Sequence, residues 1–425
     1  MATRRELVQP LQLCLLAFVN YGLFYGLTVF LARTLDIKGF EIYNVAVATV
    51  MLLASLTTFG LEKYALRALT ALFEKQNWDH ARGYIWFSGW TILITSVAVG
   101  GLYSLVRYST TVGSNRELWS VLIAVAFLPA AAMAQFFIEL LAASGRVVRA
   151  TFAYRLLLPV SIVLFVLVAS RFAGGMTARL AVLGYGLGWL LIAMALYRWA
   201  RHSVPAEIWT AAKTVELRAW LGRAAPFLVH SVMMTQFASL GIIGLEFAGR
   251  GERSVGLLAA CMQSGSFIVL LATATNRYYS PRLSVMIERQ DYQALAQGIR
   301  ERLSWVGPVT LVYFLVMVLF GDEILGLYGP DFKQGHIALI WIAGGASIGV
   351  LFAMAPNYLK FIRRNDLVLG ITVVGAIMNL GLILLLGPSH GATGAAIAYA
   401  VSLSGMSLGY VIFGLLSVRK RLKRT

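Results

Sequence analysis

The chain has 425 residues and a formal net charge of +17, yet only 13% of its residues are charged and 59% are hydrophobic. Its mean hydropathy of +0.75 is far from that of a soluble domain. Stretches of about 20 apolar residues, enough to cross a hydrocarbon core, recur along the chain. Composition therefore predicts a polytopic membrane protein without a soluble domain. In such a protein the positive net charge does not indicate nucleic-acid binding.

The chain begins like the charged flank of a signal peptide, with Arg4 and Arg5 before an apolar stretch. That stretch is too long for a typical signal peptide, so we expect a retained first helix. Hydropathy predicts an all-α chain of twelve transmembrane helices. They span 11–32, 42–61, 84–106, 118–142, 151–170, 180–199, 224–245, 255–275, 304–320, 336–359, 367–386 and 392–416. Pro129 and Pro226 lie in the fourth and seventh helices, where proline is tolerated and introduces kinks.

Lysine and arginine are unevenly distributed between alternate loops. With the N-terminus in the cytoplasm, 27 of the 36 fall on the cytoplasmic side. The positive-inside rule then predicts that both termini are cytoplasmic. These basic residues mainly fix the orientation of the helices in the membrane, and some of them could attract anionic phospholipid.

The cytoplasmic segment Glu62–Asp79 has a counterpart 214–215 residues later. Glu74-Lys75-Gln76-Asn77-Trp78 corresponds to Glu288-Arg289-Gln290-Asp291-Tyr292, and Arg282 falls opposite Arg67. This internal repeat predicts two six-helix lobes related as parallel repeats, with a substrate cavity between them. We expect the lobes at 1–200 and 224–425, joined by a cytoplasmic linker at 201–223.

No catalytic constellation is apparent in the sequence. The five histidines show no metal-ligand spacing, and Cys14 and Cys261 lie in apolar stretches where we expect them to be packing residues. The glycine-rich segment Gly184–Gly188 follows no predicted strand, so we expect it, like Gly405 and Gly409, to allow close helix packing. We therefore expect no enzyme, metal site or cofactor.

Ionisable and polar residues in the predicted membrane helices are candidates for a substrate cavity, because burying a charge in lipid is costly. Glu139 lies one turn after Gln135, Arg155 lies one turn into the fifth helix, and Arg277 lies where the eighth ends. A guanidinium group binds two phosphate oxygens at once, which suits a phosphorylated substrate. The alternative is that Arg155 and Arg277 extend to the interface and that one of them pairs with Glu139.

Three further residues have two interpretations each. His230, in the seventh helix, is a candidate proton sensor because histidine titrates near neutral pH, or it is a packing histidine. Arg67 and Arg282 are topology anchors, or they are repeat-related cations at the inner mouth of the cavity. In the second case they would receive a diphosphate head group from the cytoplasmic leaflet.

Several segments resemble a known family. Gly321–Phe332 is similar to the external loop after helix nine of polysaccharide flippases. The family's turn between helices eleven and twelve is resembled by Asn379, Gly387-Pro388 and Gly391–Ala398. Its region from helix one to helix two is resembled by the stretch from Leu31–Arg33 through Glu41–Tyr43 and by Phe59–Glu62. The chain thus resembles the multidrug/oligosaccharidyl-lipid/polysaccharide (MOP) flippase superfamily, with a MATE-like fold, and within it the Wzx-type flippases.

The resemblance implies alternating access around a cationic cavity. It also implies transport of an undecaprenyl-diphosphate-linked oligosaccharide across the bacterial inner membrane for exopolysaccharide, capsule or O-antigen synthesis. A polysaccharide polymerase and glycosyltransferases would be partners, and an H⁺ or Na⁺ gradient could be coupled. Three positions depart from the family: Ser239 replaces an Asp, Glu41 replaces a Gly, and Lys360–Asp366 replaces the usual turn after helix ten. The missing Asp weakens ion coupling at Ser239.

Two other functions fit the sequence. The first is a cation-coupled multidrug exporter of the same fold, for which Glu139 is the clear carboxylate within a helix. The second is a non-transporting scaffold in a polysaccharide synthesis complex.

Overall fold

The computed structural model describes residues 4–110, 115–172, 175–247 and 253–422, and its regular secondary structure in these ranges is helical. The chain divides into two compact units, Met1–Thr235 and Gln236–Thr425. The helices up to the unit boundary are α1 (Arg4–Thr34), α2 (Ile37–Thr57), α3 (Leu61–Glu74), α4 (Trp78–Thr110), α5 (Asn115–Ala126), α6 (Leu128–Ala143), α7 (Val147–Phe152), a π-helical turn (Ala153–Leu157), α8 (Leu158–Phe172), α9 (Ala178–Ser203), α10 (Glu207–Thr210) and α11 (Leu217–Phe247), which contains the boundary. The second unit continues with α12 (Ser254–Gly265), α13 (Val269–Glu288), α14 (Tyr292–Leu319), α15 (Gly321–Gly326), a 3₁₀ helix (Pro330–Gly335), α16 (His336–Leu351), α17 (Ala355–Phe361) and α18 (Asn365–Leu422). The predicted all-α fold class is confirmed.

Ten described helices are long and apolar enough to cross a membrane, or eleven if Leu217–Thr235 and Ser239–Glu246 form one bent span. One of the ten, Asn365–Ser417, contains the non-helical residue Gly391, so α18 is two helices joined at a kink. The kink falls between the predicted eleventh and twelfth helices. The protein is therefore a multi-pass membrane protein, whereas twelve helices and cytoplasmic termini stay predictions.

The exposed side chains of α18 are suited to contact with lipid rather than with water. Val374, Ile377 and Leu385 are 66%, 65% and 72% exposed in the protein. Exposed aliphatic side chains in such numbers would be unfavourable in water, but they are well solvated by lipid chains. Helix association must then come mainly from close packing inside each unit.

Glycines provide that close packing, as the sequence predicts. A Cβ added to Gly184, Gly186 or Gly188 would lie within 2.2–2.7 Å of a side chain on a neighbouring helix segment, Phe165, Phe127 or Ile162. Gly405 and Gly409 approach Met378 and Ile371 in the same way, at 3.1 and 3.3 Å.

The predicted kinks and boundaries are partly confirmed. The predicted fourth helix is interrupted at Phe127, and Pro129 occupies the first turn of α6, where a missing N–H is harmless. Pro226 lies inside α11. The predicted start of the ninth helix at 304 is wrong, because α14 begins at Tyr292. Three successive charged residues, 300–302, lower the hydropathy of its first turns.

The repeated segments share one backbone geometry. Gln76 and Gln290 both have left-handed φ values, +53° and +59°. In each turn the next N–H donates to the carbonyl five residues earlier: Asn77 to Leu72 at 2.9 Å and Asp291 to Met286 at 3.0 Å. The following residue then donates to the glutamine carbonyl, in both cases at 3.1 Å. The two turns thus share a backbone geometry, whereas the repeat of whole lobes stays a prediction.

Candidate functional site

Helix α3 carries the repeated segment and is amphipathic. Its buried residues are Leu61, Glu62, Tyr64, Ala65, Ala68 and Leu69. On the other face Lys63 and Arg67, one turn apart, are exposed. The apolar face of α3 is therefore packed inside the protein, and the opposite face carries the two cations. Each fully buried leucine stabilises this seating by roughly 1.5–3 kcal/mol.

A salt bridge joins α3 to α6. Lys63 Nζ donates to Glu139 Oε1 at 2.5 Å, with side chains that are 49% and 15% exposed. Partial burial by itself lowers the pKa of Lys63, but attraction to Glu139 outweighs burial, and the pKa of Lys63 is raised. The lysine therefore stays fully charged at neutral pH.

Glu62 lies next to Lys63 but on the buried face of α3. Its side chain is fully buried. Burial raises the pKa of Glu62, and the neighbouring Thr58 and Lys63 offset only part of that effect. The protonated, neutral form of Glu62 is therefore more favoured than the neutral form of an exposed glutamate. The exposed charge of this part of α3 then comes from Lys63 and Arg67.

The first unit brings several predicted residues near this helix. Gln135 is half-buried on α6, one turn before Glu139. Arg155 is half-buried in the π-helical turn, a type of distortion that often marks functional sites. The residue before it, Tyr154, lies near enough to Lys63 to influence its charge. We define the site as α3 with Glu139 and this turn.

The other predicted residues lie elsewhere. Arg282, on α13 in the second unit, is exposed and stacks on Tyr278, with its guanidinium carbon 4.2 Å from the ring centre. This cation–π contact gives the guanidinium a defined orientation. The side chain of Arg277 lies outside the described residues, as does that of Cys14. His230 is half-buried on α11. Within the described chain no group of three or more His, Cys, Asp or Glu residues could hold a metal ion.

Arg302 is a buried cation that the sequence did not single out. It is 2% exposed, and it donates to the Val350 and Leu351 carbonyls at 2.7 and 2.9 Å. These carbonyls end α16, where a cation is favoured by the helix dipole and satisfies orphan acceptors. Arg302 shares a buried helix face with Leu295 and Val306, seven residues before it and four after it.

Lys63 and Glu62 were also missed as individual residues. Lys63 was counted only as a topology cation, and its partner comes from a helix 76 residues away. Glu62 could have been found by periodicity, since residues 62, 65 and 69 share one helix face.

Comparison with known proteins is consistent with these features. No protein-family model matches the sequence. The chain is 24% identical over 164 residues to the probable low-salt glycan biosynthesis flippase Agl15 of Haloferax volcanii. That match covers 38% of this chain and about a third, 34%, of the archaeal protein.

Solved structures match over almost the whole chain. An inward-facing multidrug resistance MATE family transporter of the MOP superfamily superposes with a TM-score of 0.78 at 12% identity, covering 96% of this chain and 95% of that one. Lipid II flippase MurJ in an inward closed conformation gives 0.64 at 13% identity, covering 93% and 89%. A MOP superfamily transporter from Pyrococcus furiosus gives 0.63 at 13% identity, covering 98% and 96%.

The chain has the fold of MATE family transporters. The proteins that it resembles are transporters and flippases, not enzymes.

Proposed function

We propose that this protein is a flippase for an undecaprenyl-diphosphate-linked oligosaccharide in the bacterial inner membrane, serving exopolysaccharide, capsule or O-antigen synthesis. The observation that carries the proposal is the exposed cationic face of α3, where Lys63 and Arg67 lie one turn apart. The MOP fold and the partial match to a glycan flippase support it.

The chemistry of α3 suits a diphosphate. Arginine offers a planar fork that matches two phosphate oxygens, and lysine offers a compact charge with three donors. Charge-assisted hydrogen bonds of this kind contribute roughly 1.5–3 kcal/mol each. Glu139 keeps Lys63 oriented when no substrate is bound, and a diphosphate with more charge then competes for the ammonium group.

Arg282 would act as the matching cation of the second unit. It stands in the repeat position of Arg67, and its stacking on Tyr278 limits its freedom. In our proposal the cytoplasmic side receives the head group, the two units alternate access between leaflets, and an H⁺ or Na⁺ gradient drives the cycle. The lipid tail stays in the bilayer throughout.

Transport by proteoliposomes tests this proposal. A fluorescent undecaprenyl-diphosphate oligosaccharide is placed in one leaflet, and its appearance in the other is followed by impermeant quenching. We expect transport by the wild-type protein and none by empty liposomes or by Arg67→Gln. Lys75→Gln removes an exposed cation at the end of the same helix and should transport normally. Transport by Arg67→Gln at the wild-type rate would exclude α3 as the head-group site.

A cation-coupled multidrug exporter is the second candidate, because Glu139 is a half-buried carboxylate and a multidrug resistance MATE family transporter has the same fold. Drug-resistance profiling in a strain that lacks its own flippase separates the two functions. A changed drug profile without restored surface polysaccharide would favour the exporter.

A further inference from the structure

The second unit contains a cavity that the proposed transport cycle does not use. It is a partly open cavity of about 310 Å³, and its walls come from α13, α14, α17, α18 and the end of α16 with the break after it. Apolar side chains form most of the wall, among them Leu283, Leu295, Ile299 and Leu415. This volume is at the small end for ligand sites, which span roughly 300–1,000 Å³. It suits one chain of a larger molecule.

Two glycines create the space. Gly298 on α14 and Gly414 on α18 both line the cavity. A Cβ at Gly298 would meet Leu283 and Met286 only at 3.8 and 3.9 Å, and one at Gly414 would meet Tyr358 at 3.6 Å. These are ordinary contact distances, so larger side chains could be built here without disturbing the backbone.

The cavity is bordered by residues that face lipid. Ile299 and Leu415 are 40% and 59% exposed, and they belong to helices long and apolar enough to span the membrane. An apolar cavity stays free of water. Bilayer lipid chains are the apolar groups present there in the greatest excess, so mass action favours them over a scarce ligand.

The wall also contains one unusual polar group. Arg302 lines the cavity, and its Nε has no hydrogen-bond partner among the described residues, although its terminal nitrogens donate to Val350 and Leu351. A buried donor without an acceptor is costly. The ester oxygens at the top of a phospholipid chain are acceptors of the kind this donor lacks.

Charge near the cavity favours an anionic head group. Arg300 directly follows the wall residue Ile299, and Lys360 lies two residues after Tyr358; both cations are exposed. The acid Glu301, which follows Arg300 in the chain, accepts a hydrogen bond from Tyr279 at 3.3 Å. Residues 282–302 and 360–366 together hold seven cations and four carboxylates.

We propose that this cavity binds one acyl chain of an anionic bilayer phospholipid, whose phosphate lies against Arg300 and Lys360. The site is independent of the proposed flippase function and would hold a resident lipid in any transporter of this sequence.

Photocrosslinking tests the proposal. The full-length protein is reconstituted in phosphatidylethanolamine vesicles that contain phosphatidylglycerol with a diazirine on its acyl chain, and labelled peptides are mapped by mass spectrometry. We expect labels in 295–303 and 410–415. Gly298→Leu and Gly414→Leu should reduce them roughly tenfold, the effect of losing about 1.4 kcal/mol of binding.

Matched controls isolate the cavity. Gly307→Leu, also on α14, and Gly370→Leu, on α18, add the same side chain where nothing lies within 4 Å of the new Cβ, and both should label like the wild type. Equal labelling of the filled and control variants would overturn the proposal.

Competition identifies the lipid. Unlabelled phosphatidylglycerol should reduce the labelling, whereas added phosphatidylethanolamine should not; equal competition would overturn the anionic preference. Displacement by undecaprenyl diphosphate at lower concentration would instead assign the cavity to a substrate tail. If the filled variants do not fold, Arg300→Gln with Lys360→Gln should abolish the preference for phosphatidylglycerol, and an unchanged preference would refute the proposal.

Discussion

Lys63 and Glu139 lie 76 residues apart in the chain, and their side chains meet at 2.5 Å. This ion pair joins α3 to α6, which belongs to a candidate membrane span. It also holds a half-exposed ammonium group beside Arg67, where a phosphate could reach both. The same contact therefore contributes to the position of α3 and to its proposed function.

Breaking this pair should weaken the first unit moderately. Glu139→Gln leaves Lys63 without its anion, but Lys63 is half exposed, so water replaces much of the lost interaction. We expect a destabilisation of roughly 0.5–1 kcal/mol, measured as a lower thermal midpoint in detergent.

The double variant Lys63→Glu with Glu139→Lys tests whether charge is responsible. The reversed pair should recover most of the decrease in thermal midpoint that Glu139→Gln causes. Transport should remain impaired, because the phosphate would meet an acid on α3. Full transport by the reversed pair would contradict a role for Lys63 in substrate binding.

Glu62 should make stability depend on pH. Burial raises its pKa in the folded protein, so its contribution to stability is full below the unfolded value of about 4.3 and is lost as pH rises through the folded value. Glu62→Gln keeps the neutral form at every pH. The thermal midpoint of Glu62→Gln minus that of the wild type should therefore increase as pH rises from about 4 to about 8. A difference that stays constant, or that favours the wild type at the higher pH, would show that burial does not raise the pKa of Glu62.

Arg302 should be necessary for the end of α16. Arg302→Met removes three charge-assisted hydrogen bonds and leaves the Val350 and Leu351 carbonyls and the Thr275 hydroxyl without these donors. We expect a loss of at least about 2 kcal/mol, with Arg302→Lys intermediate because lysine lacks the planar fork. Lys333→Met, which removes an exposed cation of the same unit, should leave the midpoint unchanged. Equal midpoints for Arg302→Met and Lys333→Met would mean that the helix end needs no cation.

The local features of this structure could be predicted from the sequence, whereas the pairings between distant residues could not. Hydropathy located most of the helices, and the repeated Glu–basic–Gln pattern located two turns whose backbones agree at Gln76 and Gln290. Periodicity was sufficient to place Glu62 on a buried face. The partner of Glu139 was not accessible, because several cations lay at similar depth and only tertiary packing selects Lys63. Arg302 was obscured by Arg300 and Glu301, since a run of charges at the start of a helix is usually solvated.

Gly60 should be irreplaceable at the junction of α2 and α3. Its φ of +71° is strained for any residue with a side chain, and an added Cβ would lie 2.4 Å from the Leu228 nitrogen and 2.6 Å from the Ala224 carbonyl oxygen. These backbone atoms cannot turn aside as a flexible side chain would. Gly60→Ala should therefore separate α3 from α11 and destabilise the first unit by more than the roughly 1–2 kcal/mol of a left-handed residue alone.

Gly101→Ala is the matched control, because nothing lies within 4 Å of its new Cβ inside α4. It should stabilise the protein by about 0.5–1 kcal/mol through helix propensity. Thermal midpoints in detergent would decide the matter, and a Gly60→Ala protein as stable as Gly101→Ala would mean that α3 does not need this close approach.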